Sequence, residues 1–596
     1  MYFKELAKYI SDIEQTSSRL TITKLLSNLF SKLEKDEFIQ AMYLIQGQVS
    51  PKYAPINFGM AEKMAIKAVA TASQLDVKQI TSLYQKTGDL GNTAQKLREE
   101  FASFDERDLT IVEVFDLLKK LATATGDGSQ EEKVGVLRLL IMELDPLSVR
   151  YVVRIPVGSL RLGFSDMTIL DALSYMVTND KSIRPILQSS YQMYPDLGFI
   201  GKLLKEKGVE AVAKIEPHVF TPIIMMRAER LSSGDEIIEK IGPCLVEPKF
   251  DGFRLQIHKK GDDVQLFTRG LENATHMYPD IVEGIRKEVH AKNVILEGEA
   301  IGFDIQTENF LPFQETVQRK RKYDVIGKAK EIPLKLFVFE LLYLEGKSYL
   351  NEQLMIRKGA IKKIIGNNKQ LVEHTIFVAH DELIDEPKRL EIVFDDAITR
   401  GLEGIIAKKL DGIYQPGARG WNWIKFKRSY SSKIDDTIDC VVMGYDYGKG
   451  KRHAFGIGAF MVGIYDKEND QYKTLAKIGT GLTDEEWKTL KKEGEKLKTE
   501  KKPISFDVDK LMECDVWTNP KIVVEIKADE ITRSPVHTAG RVLKATKTGS
   551  ALEVDTAGYA LRFPRLVAFR NDKTPDDATS LHEIEELYSM QFKKVK

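Results

Sequence analysis

The stretch EPKFDGFR, residues 247–254, decides both the fold and the chemistry that can be expected of this chain. Its Asp-Gly pair at 251–252 predicts a tight turn, and the apolar residues that follow alternate as they do in a half-buried strand. Lys249, Asp251 and Arg254 are therefore displayed at the mouth of a turn between two strands.

A lysine near a bend is most often a solvated charge, and a lone K-x-D-G pattern is weak evidence for anything more. It becomes a nucleophile only when its amine loses a proton, which requires nearby positive charge or removal from water. Arg254 and a bound metal ion could supply that charge for Lys249. The short string thus leaves two interpretations open, an exposed hairpin and a covalent catalyst.

The residue pattern of the sequence changes at two points, near residues 217 and 433. Before about residue 217, apolar residues recur at helical spacing, as in the stripe Ile22, Leu25, Leu26, Leu29 and Leu33, so we expect an all-α region at 1–216. Residues 217–432 mix helical stretches with strand-like runs, among them CLVEPKF, FRLQIHKK, NVILEGEAIGFD and KLFVFELLYLEG, which predicts an α+β domain. Short strand candidates with glycine turns fill 433–596, a pattern typical of a small β-barrel such as an OB-fold.

Composition excludes several other classes of protein. The 596 residues are 43% hydrophobic, and 88 basic residues balance 88 acidic ones, so any nucleic-acid binding must come from locally sorted charge. The three dispersed cysteines cannot form a disulfide framework or a four-cysteine zinc module. No apolar run is long enough to cross a bilayer, and the first residues lack an apolar signal core, so we expect a cytoplasmic protein.

Further charged and aromatic strings follow the first one in a fixed order. They are FTRGLENATHMYPDI with Arg269, ILEGEAIGFD with Glu299, LFVFELLYLEG with Phe339, GLEGIIAKK with Glu403, GARGWNWIKFKR with Arg419, Lys425 and Lys427, and LRFPRLVAFRNDKTPDDA with Arg570 and Lys573. This series resembles the signature motifs of the covalent nucleotidyltransferases, which include ATP-dependent DNA ligases, RNA ligases and mRNA-capping enzymes. Across nearly the whole chain it is similar to the archaeal and eukaryotic replicative type of DNA ligase.

The resemblance implies a role for each matched residue. Lys249 would attack the α-phosphate of ATP and hold AMP as a phosphoramidate. The residues implied to bind the nucleotide are Glu247 at the adenine amino group, Phe339 over the adenine face, Glu299 at the ribose, and the cations Arg254, Arg269, Arg419, Lys425, Lys427, Arg570 and Lys573. Glu299 and Glu403 would hold Mg²⁺, with Mn²⁺ as an alternative, since hard carboxylate oxygens suit that ion.

The resemblance also implies that the helical region binds duplex DNA. The strings TGDGSQEEK at 125–133 and VGSLRLGFSD at 157–166 resemble its phosphate-contacting turns, and the residues expected there are Ser129, Gln130, Lys133, Arg161 and Gly163. A basic run at 318–330 could either track a phosphate backbone or be a solvated loop. A sliding clamp is a further expected partner, with the region around Phe101 and Phe104 as a candidate contact, and we expect a monomer.

Three functions are compatible with these patterns. The first is an ATP-dependent DNA ligase that seals nicks in replication, repair and recombination; the absence of a four-cysteine zinc module argues against the NAD-dependent type. The second keeps the chemistry but acts on RNA ends or caps. The third is a catalytically silent scaffold on nicked DNA, which has no evident need for Lys249, Glu299, Glu403 and Lys425 together.

Overall fold

A computed structural model describes most of the chain. The described residues are 1–100, 106–160, 162–231, 233–306, 309–311, 313–321, 324–366, 368, 370–399, 402–427, 437–448, 456–479, 482–545 and 552–591. They form two compact units, Met1–Lys427 and Arg428–Lys596. Within the described part, no helix is both long and apolar enough to cross a membrane.

The first unit begins with a helical region. Its helices are α1 (Phe3–Glu14), α2 (Arg19–Lys32), α3 (Phe38–Ile45), α4 (Glu62–Ser73), α5 (Val77–Thr87), α6 (Leu90–Glu100), α7 (Ile111–Thr123), α8 (Ser129–Glu143), α9 (Pro146–Arg154), α10 (Asp166–Thr178), α11 (Arg184–Met193) and α12 (Leu197–Ala213). The stripe predicted from the sequence forms the buried face of α2, where Ile22, Leu26 and Leu29 are at most 4% exposed. Ser18 caps this helix by accepting a hydrogen bond from the N–H of Thr21.

The rest of the first unit is built on strands and the helices that cover them. The elements are β1 (Arg227–Arg230), α13 (Gly234–Ile241), β2 (Cys244–Lys249), β3 (Phe253–Lys260), β4 (Asp263–Thr268), α14 (Pro279–Glu288), β5 (Asn293–Asp304), β6 (Asn309–Phe310), α15 (Phe313–Thr316), α16 (Val325–Glu331), β7 (Leu334–Leu344), β8 (Lys347–Ser348), α17 (Leu354–Ile365), β9 (Ile376–Val378), β10 (Glu382–Ile384), α18 (Pro387–Thr399), β11 (Gly404–Lys409) and β12 (Arg419–Lys427).

These strands form two sheets within the described residues. One has the order β1-β12-β11-β2-β10, and the other has the order β4-β3-β5-β7-β8, with β6 on β5 and β9 on β7. Helices α13 and α18 pack on the first sheet through residues such as Ile237 and Leu390, and α14 and α17 pack on the second through residues such as Ile285 and Ile361. Each sheet therefore has its own apolar core.

The turn between β2 and β3 links the two sheets and carries the predicted Asp-Gly pair. A Cβ added at Gly252 would lie 2.3 Å from the carbonyl oxygen of Ala300 on β5, so a residue with a side chain does not fit there without a backbone shift. Lys249 ends β2 immediately before this turn. The glycine thus lets the chain cross from one sheet to the other at the position of the lysine.

The second unit is rich in sheet. Its elements are β13 (Ile438–Asp446), β14 (Ala459–Asp466), β15 (Gln471–Ile478), α19 (Asp484–Lys496), β16 (Lys498–Thr499), β17 (Phe506–Asp507), β18 (Val516–Thr518), β19 (Val523–Lys527), β20 (Glu530–Ser534), β21 (Val542–Ala545), β22 (Leu552–Thr556), β23 (Gly558–Arg562), β24 (Arg565–Phe569) and α20 (Leu581–Met590). Its main described sheet has the order β16-β18-β13-β14-β15-β17, with β19 joining β13 to β24.

The basic run at 318–330 is in part structural. The guanidinium of Arg319 is 1% exposed and donates to both carboxylate oxygens of Asp280, at 2.9 and 2.8 Å, and to the carbonyl of Ile332. Neither sequence-based interpretation of the run, a DNA-tracking segment or a solvated loop, describes this residue. Arg319 instead ties the run to α14.

Candidate active site

Lys249 on β2 lies in one row with residues of β11 and β12, the next two strands of its sheet. It is the register partner of Gly404 on β11, which in turn pairs with Lys427 at the end of β12. The Lys249 ammonium forms an ion pair with the Glu403 carboxylate, and the N–H of Glu403 donates to the Lys249 carbonyl at 3.0 Å. The two side chains are 23% and 20% exposed, so this ion pair is partly open to solvent.

Glu299 extends this charged group from the other sheet. It sits on β5 opposite Arg254 of β3. Burial raises the pKa of Glu299 to about 7, while the charges of Lys249 and Arg254 lower it and those of Asp251 and Glu403 raise it. The charges of Lys249, Asp251, Arg254 and Glu403 therefore all act on Glu299. The sequence analysis assigned a role in the site to each of these residues except Asp251.

Arg254 is held by a carboxylate that the sequence analysis missed. Its guanidinium donates to Glu297 at 2.7 Å and to the carbonyl of Met226 at 2.8 Å. Glu297 is fully buried and also accepts from Gln256 at 3.0 Å and from the Tyr414 hydroxyl at 2.9 Å. Glu297 lies two residues before Glu299 on the same strand face, and that alternation in ILEGEAIGFD is the signal that could have identified it.

A second residue that the sequence analysis missed, Lys408, contacts both Phe339 and Glu247. Lys408 is 1% exposed, donates to the Phe339 carbonyl at 3.0 Å and pairs with the Glu247 carboxylate at 2.8 Å. Its ammonium also lies 5.0 Å from the Phe339 ring centroid and 4.6 Å from that of Trp423. Burial lowers the pKa of Lys408, and the charge of Glu247 opposes that shift. Lys358 pairs with the other carboxylate oxygen of Glu247.

The remaining predicted cations of the first unit lie on β12 and at the end of β4. Lys425 is half-buried and pairs in register with Ile406 of β11, two residues before Lys427. Arg419 begins β12 and Arg269 follows β4, and both are exposed. Both lysines lie on one continuous strand in which Ile424 and Phe426 are buried, and the placement of the two ammonium groups in the site stays a prediction.

The predicted DNA contacts of the helical region are only partly accessible. Ser129 begins α8 after Gly128, whose φ is 80°, and Gln130 is exposed. The Lys133 ammonium instead donates to the carbonyl of Phe58 at 2.6 Å, and burial lowers its pKa. Gly163 is exposed with a φ of 75°. Arg161 and the proposed clamp contact at 101–104 lie outside the described residues.

Arg570 and Lys573 belong to the second unit and share one carboxylate there. Both pair with Asp439 on β13, Arg570 at 3.3 Å. Arg570 also donates to Asp572 at 2.7 Å, and this hydrogen bond lowers the pKa of the Asp572 carboxyl to about 2. The two cations that the sequence singled out are therefore neighbours.

Comparison with known families covers most of this architecture. The model for the DNA ligase N terminus matches residues 2–174, that for the ATP dependent DNA ligase domain matches 225–427, and that for the ATP dependent DNA ligase C terminal region matches 453–573. The second of these matches contains Lys249 and all the residues grouped around it. The family models thus follow the same order as the motifs.

Individual proteins agree over the full length. A probable DNA ligase of Dictyoglomus turgidum is 45% identical over 595 residues, covering 100% of this chain and 98% of that protein. A DNA ligase of Saccharolobus shibatae is 39% identical over 608 residues, covering 100% and 98%. The solved structure titled Pmar-Lig_PreS3 shares the fold, with a TM-score of 0.55 at 17% identity over 95% of this chain and 99% of that one. Together the matched domains and the full-length relatives show that this chain belongs to the ATP-dependent DNA ligases, enzymes that use ATP to seal nicks in duplex DNA.

Proposed function

We propose that Lys249 is the nucleophile that accepts AMP. The observation that carries this proposal is its ion pair with Glu403 at a partly exposed position, with Glu299 in electrostatic range from the other sheet. Loss of the ammonium proton would free the nitrogen lone pair for attack.

The reaction proceeds in three transfers at phosphorus. The Lys249 nitrogen attacks the α-phosphorus of ATP, so an N–P bond forms while the bond to pyrophosphate breaks. An oxygen of the DNA 5′-phosphate then attacks the same phosphorus and displaces the lysine, which gives an AMP-capped DNA end. Finally the 3′-hydroxyl attacks the DNA phosphorus, AMP leaves, and the phosphodiester is closed. Capping is needed because an uncapped phosphate would have to expel oxide.

The surrounding residues position the nucleotide and balance its charge. Phe339 would cover the adenine face, and Glu247 would read the adenine amino group while Lys408 holds its carboxylate. The residues proposed to bind the phosphates and the sugar are Arg254, Arg269, Glu299, Lys425 and Lys427. Arg419, which begins β12 next to Arg227 of β1, is proposed to share this role.

Glu299 and Glu403 are suited to a divalent cation. Glu299 lies on β5 and Glu403 directly precedes β11, so two hard carboxylates come from separate parts of the domain. The pKa of Glu299 is raised by burial first, and the charge of Glu403 adds to that rise. No group of three or more possible metal ligands occurs among the described residues, so phosphates and water would complete the coordination of Mg²⁺ or Mn²⁺. When bound, the ion would neutralise charge on the reacting phosphates.

The finer domain assignments belong to the same proposal. We assign 1–216 to an all-α DNA-binding domain with Ser129, Gln130, Lys133, Arg161 and Gly163 as contacts, 217–432 to the adenylation domain, and 433–596 to an OB-fold domain. Arg570 and Lys573 of that last domain would act during adenylation. A sliding-clamp partner, a monomeric state and a cytoplasmic location remain predictions.

Labelling with α-³²P-ATP and Mg²⁺ tests this proposal. Wild type should become covalently labelled and lose the label to nicked duplex DNA as the nick is sealed. Lys249→Ala should take up no label, whereas Lys260→Ala, an exposed lysine at the far end of β3, should behave as wild type. Label on Lys249→Ala would refute the assignment of the nucleophile, and label released only to RNA ends would change the substrate.

A further inference from the structure

The carboxylate of Glu247 is paired with a buried lysine at each of its two oxygens. The ammonium of Lys358 lies 2.5 Å from one oxygen, and that of Lys408 lies 2.8 Å from the other. Glu247 is 3% exposed, and Lys358 and Lys408 are 2% and 1% exposed. A buried carboxylate requires a counter-charge, but two ammonium groups on one carboxylate leave one positive charge in excess. The excess charge has to be balanced by a further group.

Asp381 supplies the balancing charge. It lies between β9 and β10, and its carboxylate is 3.6 Å from the Lys358 ammonium. Lys362, one helical turn after Lys358 on α17, pairs with the other oxygen of Asp381 at 3.0 Å and is more than half exposed. The buried part of the cluster thus contains two carboxylates and two ammonium groups, and Lys362 pairs with it from the solvent side.

Lys358 reaches Glu247 from the other sheet. Helix α17 packs on the second sheet, whereas β2, which carries Glu247, belongs to the first. The preceding residue, Arg357, is fully buried and donates to both carboxylate oxygens of Glu340 on β7, at 2.7 and 3.0 Å. Glu340 directly follows Phe339 in the sequence. The Arg357 hydrogen bonds therefore fix the start of the Lys358 side chain relative to the strand of Phe339.

The ion pair with Lys358 leaves hydrogen-bonding capacity on Glu247. Oε1 of Glu247 and Nζ of Lys358 are close but not aligned for a hydrogen bond, and neither atom has a hydrogen bond to any other described residue. An ionised carboxylate accepts hydrogen bonds and cannot donate them. Charge thus holds Oε1 in place while the oxygen can still accept a hydrogen bond from an amino group.

We propose that Lys358, balanced by Asp381, is a positioning residue for the recognition of adenine. It holds the Glu247 carboxylate at the distance from Phe339 at which an oxygen accepts a hydrogen bond from the 6-amino group of the base. A purine that lacks this amino group offers no donor, and one with a carbonyl there would place two acceptors against each other. Lys358 thereby contributes to the preference for adenine. This inference rests on the role proposed above for Glu247.

Nucleotide preference in the labelling reaction tests this role. The rate of covalent labelling of the full-length protein is measured by intact mass, over a range of concentrations, with ATP and with purine riboside 5′-triphosphate, which lacks only the amino group. The variants are Lys358→Met and the double variant Lys358→Met/Asp381→Asn, in which the buried charges stay balanced. Lys362→Met is the matched control, because Lys362 lies on the same helix and shares the Asp381 partner. Glu247→Gln tests the reading of the amino group itself.

Wild type should prefer ATP by about 10- to 100-fold in kcat/KM, the range for one hydrogen bond to a charged group, and Glu247→Gln should lose most of that preference. Both Lys358 variants should lower the preference at least about fivefold through a higher KM for ATP, with kcat changed less than about threefold and the KM for the analogue nearly unchanged. Lys362→Met should keep the wild-type preference. Thermal unfolding establishes which variants are folded at the assay temperature.

The outcomes separate this inference from the function on which it rests. Equal use of both nucleotides by wild type would refute the role of Glu247 and the inference with it, whereas labelling of wild type but not of Lys249→Ala would still support the nucleophile. Where wild type and Glu247→Gln behave as expected, a wild-type preference in a folded Lys358 variant would overturn the role of Lys358 alone. An equal loss for both nucleotides would also overturn it, because a general structural defect does not depend on the amino group.

Discussion

Substituting Gly252 by alanine should slow lysine adenylation strongly while it lowers the stability of the fold only moderately. The added Cβ would lie 2.3 Å from the carbonyl oxygen of Ala300 and 3.0 Å from Cγ1 of Ile301. The Ile301 atom can move with its side chain, but the Ala300 oxygen belongs to the backbone of β5, which pairs with Phe253 in the same sheet. The turn must therefore move away from β5 by about 1 Å to reach an ordinary contact distance.

That displacement acts on both sides of the active site. Lys249 lies three residues before Gly252, and Glu299 directly precedes Ala300. Overpacking of this kind costs about 1–3 kcal/mol in the free energy of unfolding. A misplacement of about 1 Å between reacting groups lowers the rate about 100-fold. We therefore expect Gly252→Ala to remain folded at moderate temperature while its rate of lysine adenylation falls about 100-fold.

Gly359→Ala is the matched control. Gly359 is an exposed residue inside α17, and a Cβ added there would meet no atom within 4 Å. This variant should be more stable than wild type by up to about 1 kcal/mol, because alanine favours the helix, and its adenylation rate should not change. Single-turnover labelling with ATP measures the rate, and thermal unfolding measures stability. A rate for Gly252→Ala within about threefold of wild type would refute the reasoning.

Three further changes test buried groups. Lys408→Met removes the ammonium from Glu247, so the KM for ATP in the labelling reaction should rise at least about 10-fold; an unchanged KM would contradict that link. Burial lowers the pKa of His258 to about 3, and its ring must gain a proton on unfolding below about pH 6.5, so the free energy of unfolding should fall by about 2 kcal/mol from pH 7.5 to pH 5, and less in His258→Asn. Arg319→Met leaves Asp280 without its buried partner and should lower stability by about 3 kcal/mol in urea unfolding, with no specific loss of DNA affinity.

Local patterns predicted much of the fold. The runs CLVEPKF, FRLQIHKK, NVILEGEAIGFD and KLFVFELLYLEG were expected to be strands and form β2, β3, β5 and β7. Alternation and turn residues identify such strands because both signals depend on neighbouring residues in the chain. The order of the motifs along the sequence likewise indicates the family.

The residues that hold the site together could not be predicted in this way. Glu297, Lys358 and Lys408 act through partners far away in the sequence, and a single glutamate or lysine carries no local sign of such a partner. Lys133 illustrates the reverse case. Its string resembles a DNA-contacting turn, yet its ammonium is bound to the carbonyl of Phe58, 75 residues earlier in the chain.

The pairing of Lys249, Gly404 and Lys427 in one row limits where residues can be inserted into or deleted from the sequence. These three residues occupy one row across β2, β11 and β12, and successive residues of a strand face opposite sides of the sheet. Insertion or deletion of one codon within β2 would turn Lys249 to the opposite face of the sheet, and one within β11 or β12 would shift the pairing of that strand with its neighbours. Insertions and deletions among functional relatives of this sequence should therefore fall in the connections between strands. The lengths of β2, β11 and β12 should stay constant.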